Sequence, residues 1–254
     1  MSQGASARQA ERSRASAIAL PLLGLAVAIG VWWLVTYMEW VHPVALPPPN
    51  EVLFAFGDHA ELLLEYSAIT TLEIVFGFLL SVVVGTAIGL LLATSQVVER
   101  MFSPLLVAIN AVPKIALAPL LAVTLGFGQK PILTMVFLLC FFPIVLSTAT
   151  GLTTTPAELA ELIRSLGASR WQAFRKVRLP AALPQIFVGL KVAMPLAAIG
   201  AVIGEFQAAK DGGLGRAITG FSGSGQIATA WAAIILVGVI SVLLYFALAL
   251  VERL

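Results

Sequence analysis

An all-α integral membrane protein with six transmembrane helices is the fold class this sequence predicts. Hydrophobic residues make up 59% of its 254 positions and charged residues only 11%, where a soluble domain carries about 25% charged. Mean hydropathy is +0.99. Six apolar runs are each long enough for a bilayer core, which takes roughly 20 helical residues, and most Lys and Arg fall in the loops between them. The net charge of +2 is too small to imply nucleic acid, and a single cysteine, Cys140, rules out a disulfide within the chain.

Residues 1–17 read as a cytoplasmic tail carrying Arg8, Arg12 and Arg14. The apolar run that follows is long and has no small-residue cleavage site, which makes it a retained signal-anchor helix. Residues 18–254 form the membrane domain, with spans at about 18–38, 67–94, 102–127, 131–152, 186–206 and 227–251. Between the first two lie LPPP at Leu46–Pro49 and an amphipathic piece with Val52, Leu53, Phe56, Leu62 and Leu63 among acids, suited to the membrane interface. The third run is broken by Pro113, Lys114 and Pro119. Trp32, Trp33 and Trp40 read as interfacial anchors.

Orientation follows from basic residues in short loops. An even number of spans puts both termini on one side, with Arg100 and the loop after span four. That side holds Arg8, Arg12, Arg14, Arg100, Arg164, Arg170, Arg175, Lys176, Arg178 and Arg253. The other holds Lys130, Lys210 and Arg216. The termini and the long loop at 155–180 are therefore expected in the cytoplasm.

That loop has its own local order. Thr155, Pro156 and Glu158 form a helix start, with Pro in the first turn and Glu reaching back to the cap. Leu159, Leu162, Ile163 and Leu166 fall on one helical face. Gly167 supplies a left-handed cap. Ser169 with Gln172 is a second capping box, opening a helix with Trp171, Phe174 and Val177 at spacing three and Arg170, Arg175, Lys176 and Arg178 around them. Pro180 and Pro184 are expected to stop it. A helix, a turn and a basic helix also describes a DNA reader, but such a reader needs a free domain and this pair is tethered between two spans. An apolar face beside a basic flank suits a groove on a partner protein.

Glu161-Leu162-Ile163, three residues, Gly167, nine residues, then Val177-Arg178-Leu179-Pro180 resembles the EAA loop of bacterial ABC importer permeases. Leu162 and Ile163 replace the two alanines and Val177 an isoleucine. LPPPNEVL at 46–53, AVPKIALAPLLAVTLGFG at 111–128, FFPI at 141–144, LPAALPQIFVGLK at 179–191 and IGEFQAAKDGGLG at 203–215 are similar to the nitrate/sulfonate/taurine-type permeases. The resemblance implies the type I importer permease fold in the bacterial inner membrane, multi-pass. It implies two permease copies, expected as a homodimer, two ABC ATPase subunits beneath, and a periplasmic or lipid-anchored solute-binding protein. ATP and Mg are then bound by the ATPase; this chain binds no cofactor and is not itself an enzyme. Coupling to the ATPase falls on Glu158, Glu161, Arg164, Gly167, Ala168, Trp171, Phe174, Leu179 and Pro180. The solute is expected to be a small anion such as a sulfonate, taurine, nitrate or carboxylate, with a pyrimidine/thiamine or riboflavin-type precursor as the alternative.

Ionisable residues within spans are functional candidates. Lys114, Glu73 and Glu205 are assigned to the translocation path or gate. Glu73, Glu205 and Lys191 stand near run ends, where interfacial placement or snorkelling also fits. Asp211-Gly212-Gly213-Leu214-Gly215 reads as a tight outer turn, and the resemblance makes Gly213 and Gly215 part of the outer gate. A stand-alone secondary transporter is the rival class; it would need paired ionisable groups within the spans and no obligate partner. His, Cys and carboxylates show no metal-ligand spacing, and no phosphate-binding GxxxxGK[ST] stretch is present.

Overall fold

A computed structural model describes residues 2–154, 165, 167 and 169–253, and every regular element among them is helical. Nine helices of eight or more residues organise the described chain: α1 (Ser2–Tyr37), α2 (Pro49–Asp58), α3 (Ala60–Ala93), α4 (Gln96–Ala111), α5 (Ala118–Leu125), α6 (Gln129–Thr153), α7 (Leu179–Ala208), α8 (Leu214–Gly223) and α9 (Ile227–Glu252). Among the described residues, five helices are long and apolar enough to cross a membrane, or six if the bent pair α4–α5 is one span. The bend is 73°. It sits where Pro113 and the 3₁₀ turn Lys114–Leu117 interrupt the helix, because a proline removes a backbone donor and clashes with the preceding turn.

The chain divides into two units: residues 1–60 with 221–232, and residues 61–220 with 233–254. In the first, α1 keeps its apolar side chains outward over Ala19–Tyr37. The proline turn after it is held by two indoles. Trp32 Nε1 donates to Pro47 O at 3.0 Å, and Trp231 Nε1 donates to Ala45 O at 3.2 Å. The two rings lie 6.1 Å apart. Prolines offer no N–H, so a proline-rich turn has few backbone donors for its own carbonyls, and the indoles supply two. Trp32 is thus a structural clamp as well as an aromatic near the span end. Pro49 in its first turn starts α2, which buries Val52 and Ala55. A hollow of about 480 Å³ lies beside it, lined by Pro43, Phe54, Asp58, His59 and Gln226 among others.

The second unit is packed around α6 and α7. Ile74, Phe78, Val136, Cys140, Ile144, Ile186, Leu190 and Met194 are buried together with Ala193, Ala197 and Ala201. Small residues let these backbones approach, as apolar helices do in a bilayer. A β-carbon on Gly200 would lie 2.8 Å from Val136 Cα. The buried Cys140 donates its S–H to Ala193 O at 3.3 Å, so it acts as a small core residue.

Two helices outrun the apolar stretches that predict them. α3 begins at Ala60, several residues before the hydrophobic run. α7 is continuous with the turns before it, giving one helical segment from Trp171 to Ala208. Pro180 and Pro184 therefore do not end the basic helix, contrary to expectation. The turn at Phe174–Arg178 is π-helical, and Leu179 N–H bonds Phe174 O. Pro180 then occupies the first turn of α7, where a missing N–H is tolerated.

Candidate functional site

Two residue groups on the second unit carry chemistry. The first is a buried polar cluster formed by α3, α7 and the start of α8. Glu205 is 2% exposed and Glu73 4%. Placement at the membrane interface, which their positions near run ends allow, is not what the fold produces: both are enclosed. Thr70 Oγ1 donates to Glu205 Oε1 at 2.6 Å and accepts from Leu214 N–H at 2.9 Å. Gly215 N–H donates to Glu205 Oε2 at 2.5 Å. The first amides of a helix lack partners within it, and an anion there also meets the favourable end of the helix dipole. Glu205 fills both roles for α8.

The glycines explain how the loop reaches the carboxylate. Gly213 has φ +117°, and a β-carbon on it would lie 2.5 Å from Glu205 Cδ. One on Gly215 would lie 2.7 Å from Val202 O. Any side chain at either position would push the turn off Glu205. Glu73 follows Thr70 by one turn on α3 and is likewise buried. Its Oε2 is buried and meets no donor among the described residues. Glu73 also lines a cavity of about 90 Å³ with Ile69, Gln129, Ile132, Lys210 and Asp211.

Three of the five residues assigned to the path or gate, Glu205, Gly213 and Gly215, thus meet in one cluster, and Glu73 is buried one helical turn from Thr70. Lys114 lies elsewhere, at the break between α4 and α5. Its Nζ donates to Asn110 Oδ1 at 2.6 Å and to Asn110 O at 3.3 Å. Lys191 pairs with Glu252, its Nζ donating to the two carboxylate oxygens at 3.0 and 2.8 Å. Two participants went unread in sequence. Thr70 lies one turn before Glu73 on the same helical face, and that spacing is a usable signal. Glu252 is the acid at the end of the last run, on the side where Lys191 needs a counter-charge.

The second group is the basic stretch leading into α7. Gly167 has φ +63° with open space around it, so its left-handed turn is conformational in origin. Ser169 N–H donates to Gln172 Oε1 at 2.9 Å, and Gln172 N–H donates to Ser169 Oγ at 3.3 Å. This reciprocal cap starts the helix. Trp171 is 66% exposed and stacks on Phe174 at 5.8 Å, while Phe174 packs onto the core. Arg175, Lys176, Arg178 and Pro180 are exposed and Leu179 is half-buried. Glu158, Glu161, Arg164 and Ala168 lie outside the described residues. Among the described residues, no group of His, Cys, Asp and Glu is arranged to hold a metal.

Residues 85–254 match the binding-protein-dependent transport system inner membrane component family. The chain belongs to this family. It is 34% identical over 228 residues to a probable ABC transporter permease protein of Haemophilus influenzae, covering 90% of this chain and 93% of that one. It is 36% identical over 203 residues to the formylaminopyrimidine transport permease protein ThiX of Halalkalibacterium halodurans, covering 78% and 81%. Other similar proteins are named as taurine, riboflavin and aliphatic sulfonate permeases. In fold it is similar to a chain of the MetNI methionine ABC transporter in an inward-facing conformation. That comparison has a TM-score of 0.66 at 21% identity and covers 77% of this chain and 97% of that one. The protein is an ABC importer permease subunit of the inner membrane, with the type I importer permease fold. The family match takes in Glu205, Gly213, Gly215 and the basic stretch; Glu73 and Thr70 precede it.

Proposed function

We propose that two copies of this permease form the translocation path for a small solute handed over by a solute-binding protein outside the membrane. Two ABC ATPase subunits bind ATP and Mg and seat on the cytoplasmic segment around Gly167 and Trp171. The observation that carries the ATPase assignment is the exposed Trp171. It is a large aromatic stacked on a core residue, capped into a rigid helix and flanked by Arg175, Lys176 and Arg178. An aromatic anchor ringed by cations fits an interface centre. Because the helix runs unbroken into α7, movement of the partner is transmitted directly to the membrane core. Glu158, Glu161, Arg164 and Ala168 complete the docking element in this proposal. Both termini are cytoplasmic, and residues 18–254 make up the membrane domain with its coupling loop.

Lys114 favours an anionic solute of the sulfonate or taurine kind. It is a half-buried cation at the break of a bent span, and its ammonium is held by an uncharged amide. A second reading, a pyrimidine-type precursor, is supported by the 36% identity to the formylaminopyrimidine permease. The test is reconstitution in lipid with the co-expressed ATPase and the binding protein. Loaded binding protein should stimulate ATP hydrolysis, and a complex without stimulation would sink the importer arrangement. Thermal-shift screening of the binding protein against taurine, alkanesulfonates and formylaminopyrimidine separates the two solute readings.

A further inference from the structure

The hollow of about 480 Å³ beside α2 belongs to neither residue group above, and its volume falls in the range of specific binding sites, about 300–1,000 Å³. Its walls are largely apolar: Pro43, Val44, Pro47 and Phe54 line it, and Val44 and Phe54 are exposed. Its formal charges are of one sign, since Glu51 and Asp58 line it and no Lys or Arg does. Among the described residues, neither side chain has an ion-pair or hydrogen-bond partner. Glu51 lies in the first turn of α2, where the helix dipole favours an anion. Asp58 is the last residue of that helix, where the dipole opposes one. Helix stability therefore accounts for Glu51 and not for Asp58. The hollow is also preformed. Pro43 and Pro47 restrict the turn, and the two indoles hold the carbonyls of Ala45 and Pro47, so little ordering is left for an incoming group to impose.

We propose that this hollow seats a Lys or Arg side chain of the solute-binding protein, with its aliphatic stem along the apolar walls and its cationic head on Glu51 and Asp58. The proposal rests on the reading above that such a protein delivers solute outside the membrane, and it places the segment between the first two spans on that side. A long basic side chain suits both parts of the lining. Its methylenes can lie on apolar surface while the head stays polar, and an ammonium or guanidinium makes its strongest hydrogen bonds to carboxylates. Two unpaired carboxylates repel an anionic solute, and they repel anionic lipid headgroups equally. Charge pairing at such a rim steers the encounter and fixes the register of the two proteins, while Phe54 supplies an exposed aromatic to the contact.

The experiment measures binding of purified, solute-loaded binding protein to the full permease–ATPase complex in lipid nanodiscs. ATP hydrolysis is followed separately, so that a failure of the importer arrangement and a failure of this contact give different results. Asp58→Lys should weaken binding about tenfold or more, and Glu51→Gln and Asp58→Asn should weaken it less. Wild-type binding should fall as salt rises, more steeply than binding to Asp58→Lys. Asp58→Asn removes an anion that opposes the helix dipole, so its thermal midpoint should equal or exceed that of the wild type. A photo-crosslinking residue in place of Phe54 should attach to a binding-protein peptide that contains Lys or Arg. No binding to the wild type, equal binding by wild type and Asp58→Lys, or crosslinks to lipid alone would each overturn the proposal. So would a weakened Asp58→Asn that also melts lower, because that result gives Asp58 a structural role.

Discussion

At the scale of the residue, Glu205 holds the turn at Gly213–Gly215 by accepting what the turn must donate. Thr70 is the hinge of that arrangement, because one hydroxyl both donates to Glu205 and accepts from Leu214 N–H. Thr70→Val keeps the shape and removes both bonds, leaving a buried amide and a carboxylate short of a donor. A loss of about 1–3 kcal/mol is expected, read as a lowered denaturation midpoint in detergent, with Thr70→Ser restoring most of it. An equal loss in Thr70→Ser would show that the methyl group, and not the hydroxyl, is what matters. Sequence analysis picked out Glu73 and Glu205 as ionisable residues near the ends of apolar runs, and Gly213 and Gly215 in a tight turn assigned to the gate through the resemblance. The cluster was not legible, because Thr70 and Glu205 are 135 residues apart and no local pattern encodes which two helix ends touch.

At the scale of the element, the basic stretch shows both sides of legibility. Its cap is local: Ser169 and Gln172 are three residues apart, and the sequence pattern identified their reciprocal bonds correctly. Its end was misread, because a proline's effect depends on the turn it meets. Here a π-turn leaves Pro180 at the start of α7 and not in the middle of a regular ladder. Trp171 is exposed, so Trp171→Ala should change stability by no more than about 0.5 kcal/mol while sharply reducing co-purification with the ATPase. Gly167→Asp, strained at φ +63°, should likewise insert normally and lose the partner. Full ATPase recovery with either variant would remove this stretch from the interface.

At the scale of the whole molecule, the second unit ties its last helix to α7 through Lys191 and Glu252. Both side chains are about a quarter exposed, so the pair contributes no more than about 1 kcal/mol. Lys191→Glu should lower the thermal midpoint slightly, and adding Glu252→Lys should restore it. A double variant worse than the single one would show that the two charges do not pair.

Composition and period alone determined that this is a helical membrane protein, read as six spans with the third interrupted by prolines. They also located its polar segment, because burial in lipid needs only length and apolarity, and caps need only neighbours. The spacing of Glu161, Gly167 and Pro180 pointed to the family through a resemblance. Only the tertiary structure decided that the two glutamates are buried, that Lys191 has Glu252, and that the basic helix continues into α7. These are long-range pairings, set by which small residues let which helices approach, and a one-dimensional pattern does not contain that distance.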